Sequence, residues 1–202
     1  MELVTKKRDL KDYLIEDDNI DYSHPIIQDK IEELYEGADT EVEKVKKAFE
    51  FVRDEIHHSW DIRSRRITRK ASEVLKYKEG ICYAKSNLLA ALLRGIDIPT
   101  GFCYQKLTIG NIPESGYCLH ALNAVYLSKY KKWIRLDARG NTGRINSKFS
   151  IDKEKLGFKV RNIYHEEEYP TIYNKPLKKT MDVLKNSTNF IKMYENDLPK
   201  RI

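Results

Sequence analysis

The sequence predicts an α+β fold, and three observations carry that reading. Apolar residues recur at helical spacing through the first half of the chain. After Pro99 they change to apolar runs separated by turn residues, the pattern of an antiparallel sheet. A Leu-rich helix led by Cys82 lies between the two patterns and packs on that sheet. At 202 residues the chain can bury a real core. It is expected to form a single domain over 1–202, with a core of about 40–145 and a C-terminal extension over 146–202.

Residues 1–22 are polar and read as an extended arm or a strand. Pro25 follows Ser23-His24, a helix start with Pro in the first turn. Ile27, Ile31 and Leu34 form its buried stripe, and Gly37 ends it. Thr40-Glu41-Val42-Glu43 fits a capping box for the next helix, made amphipathic by Val42, Val45, Phe49, Val52 and Ile56. His57 and His58 fall at its C-terminus, where surface positions are expected. Arg63, Arg65, Arg66, Arg69 and Lys70 make a basic connector, and Ser72 caps a short helix through Val74 and Leu75.

The Cys82 helix follows, with Leu88, Leu89, Leu92 and Leu93 as its stripe, Gly80 before it and Gly95 as its C-cap. Gly101 to Leu107 reads as a strand. The segment 109–116, with Gly110, Pro113 and Gly116, reads as a mobile loop beside the cleft. Beyond Ser150 come loops, an acidic run at Glu166-Glu167-Glu168, and a helix from Leu177 to about Tyr194 that Asn186-Ser187-Thr188 can break.

Cys82 is the most informative residue. A helix N-terminus directs free N–H groups and partial positive charge at whatever stands there, which favours a thiolate and an oxyanion alike. Two partners follow in order. Tyr117 to Leu127 reads as a buried strand carrying His120, and Trp133 to Ala138 as the next, carrying Asp137. The two form an antiparallel hairpin. Strand alternation makes the facing calculable. A four-residue loop over 127–130 pairs Tyr126 with Lys131 and sets His120 directly opposite Asp137. A two-residue shift leaves the pair diagonal on one face, whereas an odd loop separates them. The expected roles are Cys82 as nucleophile, His120 as base and Asp137 as the group that fixes the imidazole tautomer.

These residues resemble the transglutaminase-like superfamily, the papain-related fold. The resemblance runs from about Phe49 to Asn141. It rests on Ala71-Ser72-Glu73-Val74-Leu75 leading to Gly80-Ile81-Cys82, on the His120 strand, and on Trp133-Ile134-Arg135-Leu136-Asp137-Ala138-Arg139-Gly140-Asn141. It implies acyl transfer through a Cys82 thioester on peptide or protein amides, ending in hydrolysis or in transfer to an amine. It implies a second oxyanion donor from an upstream aromatic, for which Trp60 is the candidate. Tyr83 and Arg139 are candidates for substrate binding. The chain departs from many relatives at Ala121, where they carry an aromatic, and it shows no calcium-loop spacing. The alternative function is a non-catalytic protein- or peptide-binding module on the same fold.

Composition narrows the rest. The hydrophobic fraction is 41% and the charged fraction 34%, which suits a globular chain with a charged surface. Three cysteines without framework spacing fit a reducing compartment, and the N-terminus lacks an apolar signal core, so a cytoplasmic location is expected. Residues 1–60 hold 9 Lys and Arg against 17 Asp and Glu, net −8; the remainder holds 28 against 14, net +14. The basic residues are dispersed and no nucleic-acid motif accompanies them. The expected partner is a peptide or protein substrate, with no nucleic acid, no membrane and no oligomeric state fixed by sequence. No cofactor is expected. A metal site on Cys118 and His120 lacks the four spaced ligands a structural zinc needs.

Overall fold

A computed structural model describes residues 1–110 and 112–202. The elements, in chain order, are β1 (Val4–Thr5), α1 (Pro25–Tyr35), α2 (Glu41–Glu55), β2 (His57–His58), α3 (Ala71–Tyr77), β3 (Glu79–Gly80) and α4 (Cys82–Arg94). Then come β4 (Thr100–Thr108), β5 (Tyr117–Leu127), β6 (Lys132–Leu136), β7 (Glu167–Glu168), β8 (Thr171–Ile172), α5 (Lys178–Asn186) and α6 (Phe190–Asn196). The architecture is α+β: helices packed on an antiparallel sheet of order β6-β5-β4-β7.

Local chemistry explains the helices. Pro25 opens α1, with His24 as its N-cap. Thr40 and Glu43 close a reciprocal capping box at α2: Glu43 N–H donates to Thr40 Oγ1 at 3.2 Å, and Thr40 N–H to Glu43 Oε2 at 3.0 Å. The α3 helix starts one residue before Ser72. Ser72 is spent elsewhere, its N–H and hydroxyl both donating to Asp21.

All thirteen residues of α4 are buried, so it is the central rod of the core rather than an amphipathic surface helix. Its two cations are satisfied by backbone carbonyls. Lys85 donates to Ile56 O and Arg139 O; Arg94 donates to Ile15 O, Thr100 O and Asn174 O. Gly95 is the C-cap as expected, but in the right-handed region at φ −63; the left-handed residue is Asp97 at φ 61. A Cβ there would stand 2.5 Å from Ile31 Cδ1, so any larger residue must push the end of that side chain aside.

Alternation divides the sheet. Phe102, Tyr104, Leu119, Ala121 and Val125 join the α4 core, while Cys103, Leu122 and Ala124 meet Tyr13 and Ile172 on the other face. The N-terminal arm thereby covers the second face, through β1 paired with β8 and through Tyr13. The hairpin register differs from expectation by two residues. Its four-residue connection is 128–131, with Lys131 at φ 49, so Tyr126 pairs with Trp133 rather than Lys131. The C-terminal helix is broken where Asn186-Ser187-Thr188 suggested: α5 ends at Asn186, and Asn189 begins α6 by accepting Lys192 N–H. The loop expected over 109–116 includes Asn111, which lies outside the described residues. Among the described residues no helix is long and apolar enough to cross a membrane.

Candidate active site

Cys82 is the first residue of α4, and Ile81 is the N-cap. A short parallel bridge delivers it there: β2 pairs with β3, His57 against Glu79 and His58 against Gly80. The β5 strand approaches from the sheet. Because β6 ends at Leu136, the edge of β5 before Asn123 has no strand on that side, and there Leu119 N–H donates to Pro199 O at 2.7 Å. Tyr83 occupies part of that edge, its hydroxyl donating to Leu119 O at 2.8 Å. That corrects the expectation for Tyr83: it is fully buried, outside the cleft wall, and it supports the strand that carries His120.

His120 and Asp137 share a face of the sheet, diagonal rather than directly opposed as expected, because the register has moved by two. His120 Nε2 and Asp137 Oδ2 are 2.9 Å apart. Asp137 stands one residue past β6 and is held from all sides. Its Oδ2 accepts Gly157 N–H at 3.0 Å, its Oδ1 accepts Arg139 N–H at 3.2 Å, and its carbonyl accepts the Ser147 hydroxyl at 2.7 Å. Gly157 comes so close that a Cβ would lie 2.9 Å from Asp137 Oδ2. Phe158 packs edge-on against the His120 ring, with centroids 4.8 Å apart.

Electrostatics follow from this enclosure. Burial opposes the His120 imidazolium, but the Asp137 charge and hydrogen bond, with Cys82 beside the ring, outweigh it and lift His120 to about 10. Burial would raise the Asp137 carboxyl; His120 and the two backbone N–H groups hold it below the ordinary range instead. With Nε2 engaged by Asp137, Nδ1 is the ring nitrogen left for Cys82. Burial pushes the other two thiols, Cys103 and Cys118, up to about 12.

Cys82 and His120 open into a cleft of about 570 Å³, a volume suited to a side chain and part of a backbone. Trp60 lines it, its ring stacked on Tyr194 with centroids 4.1 Å apart. Arg139 also lines it, but its guanidinium is held by Asp61 in a two-pronged pair at 2.5 and 2.8 Å. Sequence reasoning missed His58, Lys85, Ser147, Gly157 and Phe158. His58 is buried in the cleft wall rather than at the surface where the helix end suggested. Among the described residues no group of three or more His, Cys, Asp or Glu side chains is placed to hold a metal ion.

A cysteine at a helix start, with a histidine on an antiparallel sheet and an aspartate just beyond its edge strand, is a papain-like arrangement. The profile of the Transglutaminase-like superfamily matches residues 28–138, more than half of the 202 residues, and the chain belongs to that superfamily. Among solved structures, a Cytophaga hutchinsonii protein described as a "putative cysteine protease" superposes with TM-score 0.53 at 16% identity, over 66% of this chain and 43% of its own. A structure described as a TGase gives TM-score 0.46 at 19% identity, over 88% of this chain and 50% of its own. The chain thus spans half or less of either length. The first likeness shows the shared fold. No curated protein matches the chain.

Proposed function

We propose that the protein is a cysteine-dependent acyl hydrolase or acyl transferase acting on peptide or protein amides through a Cys82 thioester. The observation that carries this reading is the buried His120–Asp137 hydrogen bond, 2.9 Å long, in the cleft where α4 begins with Cys82. Asp137 fixes the imidazole tautomer and keeps the ring ready for a proton. His120 takes the Cys82 proton, and the thiolate attacks the substrate carbonyl. His120 then protonates the departing amine, and the thioester remains on Cys82. Water or an amine, activated by the same imidazole, releases the acyl group. Arg139 stays committed to Asp61 and borders the substrate rather than seizing a carboxylate.

Iodoacetamide kinetics at pH 6.5, resolved by mass spectrometry, test the reading. Cys103 and Cys118 are internal controls, since burial pushes both thiols up to about 12. Cys82 should react at least ~100-fold faster than either, and His120→Ala should remove that advantage. Equal, slow reaction at all three would leave a non-catalytic binding module.

A further inference from the structure

We propose that His58 Nε2–H is the side-chain donor of the oxyanion hole, acting together with the backbone N–H of Cys82. The proposal rests on the acyl-transfer reading above and adds a residue to it.

Position is the first argument. His58 pairs with Gly80, two residues before the nucleophile, and paired strands stand about 4.8 Å apart. The bridge is fixed on both sides of His58: His57 N–H donates to Lys78 O at 2.9 Å and Ser59 N–H to Gly80 O at 3.2 Å. His58 therefore moves with the chain that delivers Cys82. His58 is 6% exposed and lines the cleft shared with Cys82 and His120.

The hydrogen bonding of the ring is the second argument. Nδ1 accepts the backbone N–H of Trp60 at 3.3 Å, which puts the ring proton on Nε2. Among the described residues nothing accepts from Nε2, and the atom is not sealed from solvent either. An Nε2–H without an acceptor, on a residue that lines the cleft with Cys82, can serve a developing oxyanion.

Charge is the third. Burial, then the positive fields of Arg139, Lys85 and His120, hold His58 well below 6.5, so the ring is neutral at working pH. A neutral ring with Nδ1 already occupied cannot compete with His120 as base. It can only donate. Trp60 is in the same wall, but its ring is held by stacking between Tyr194 and the Arg63 guanidinium, 4.0 Å from the ring centre.

In the step itself, the Cys82 sulfur forms a bond to the carbonyl carbon and the C=O π pair moves to oxygen. His58 Nε2–H and Cys82 N–H donate to that oxygen. On collapse C=O re-forms, the C–N bond breaks, and the amine leaves with the proton from His120. His58 keeps its own proton throughout.

The test compares two reactions of Cys82. Acylation by p-nitrophenyl acetate passes through an oxyanion; alkylation by iodoacetamide does not. In His58→Leu the ratio of acylation to alkylation rates should fall about 100-fold, with alkylation itself nearly unchanged. His58→Gln, which restores an N–H of similar reach, should recover at least ~10-fold of that loss. An unchanged ratio in His58→Leu overturns the proposal, as does alkylation falling in step with acylation, which would mark a structural role. A ratio that collapses in Trp60→Phe and not in His58→Leu transfers the role to Trp60. If His58→Leu lacks a cooperative melt, His58→Gln against the shorter His58→Asn decides, and equal ratios refute it. A wild type that alkylates at Cys82 but never acylates refutes the acyl-transfer reading as well.

Discussion

Asp137→Asn keeps the shape of the partner of His120 and removes its charge. In the wild type the ring rises from 6.5 to about 10 although burial pulls it down. That rise corresponds to about 5 kcal/mol of preference for the charged ring, and it is a net figure, because the burial penalty has already been overcome. With the carboxylate gone, Cys82 is the one group left opposing burial, so His120 should titrate below 6.5 and its proton affinity should fall by more than ~1000-fold. The sign for stability follows. The folded value is the higher one, so the contribution of this pair is complete below about 6.5 and is lost as pH rises through about 10. Asp137→Asn should therefore flatten the alkaline side of the stability profile. NMR titration of the His120 ring carbons is the direct assay. Repeating it in Cys82→Ala separates the contribution of Asp137 from that of the thiol. A wild-type His120 near 6.5, or one still above about 8 in Asp137→Asn, would refute the reasoning.

Other perturbations follow from the same contacts. Gly157→Ala inserts a Cβ 2.9 Å from Asp137 Oδ2 and 2.9 Å from Ile145 Cγ2; it should cost about 1–3 kcal/mol in thermal unfolding and, by displacing the carboxylate, slow Cys82 acylation by more than ~10-fold. Burial, with Arg139 nearby, lowers Lys85 to about 7 from 10.5, so the unfolded chain binds the extra proton between those values and the contribution of Lys85 grows with pH there. This slope opposes that of His120, so Lys85→Met should make the melting temperature fall more steeply between pH 7 and 10; parallel profiles would count against it. Gly95→Ala forces a Cβ against Ile31 and should lower stability by about 1–3 kcal/mol, read by denaturant unfolding.

Much of the candidate site was legible because its signals are local. Cys82 follows a glycine and begins a leucine stripe, so its place at a helix N-terminus needed no tertiary information. The facing rule was also legible, that an even connection keeps His120 and Asp137 on one face whatever the register, while the parity itself came from the structure. The register was not legible either, because nothing in Ser128-Lys129-Tyr130-Lys131 announces that Lys131 takes the left-handed conformation and closes the turn one residue late. His58 misled for a different reason. A residue after a helix reads as surface, and only the pairing with Gly80, twenty-two residues away in sequence, buries it. Gly157 was out of reach altogether. Its requirement is the absence of a methyl group against Asp137, a contact across twenty residues that no periodicity encodes.

The pinning of α4 has a mechanical consequence. A buried cation near each end fastens the helix to separate segments: Lys85 to the carbonyls of Ile56 and Arg139, Arg94 to those of Ile15, Thr100 and Asn174. Sliding along the helix axis would strip amine and guanidinium donors from buried acceptors at both ends at once. The sulfur is thus mounted on the least compliant element of the molecule, whose amides should be among the last to exchange with deuterium. Whatever must yield when a substrate enters belongs to the opposite wall, where Ile109, Thr142 and Lys159 hang on exposed turns. On the proposed acyl-transfer reading, specificity can then be retuned in those segments without disturbing Cys82.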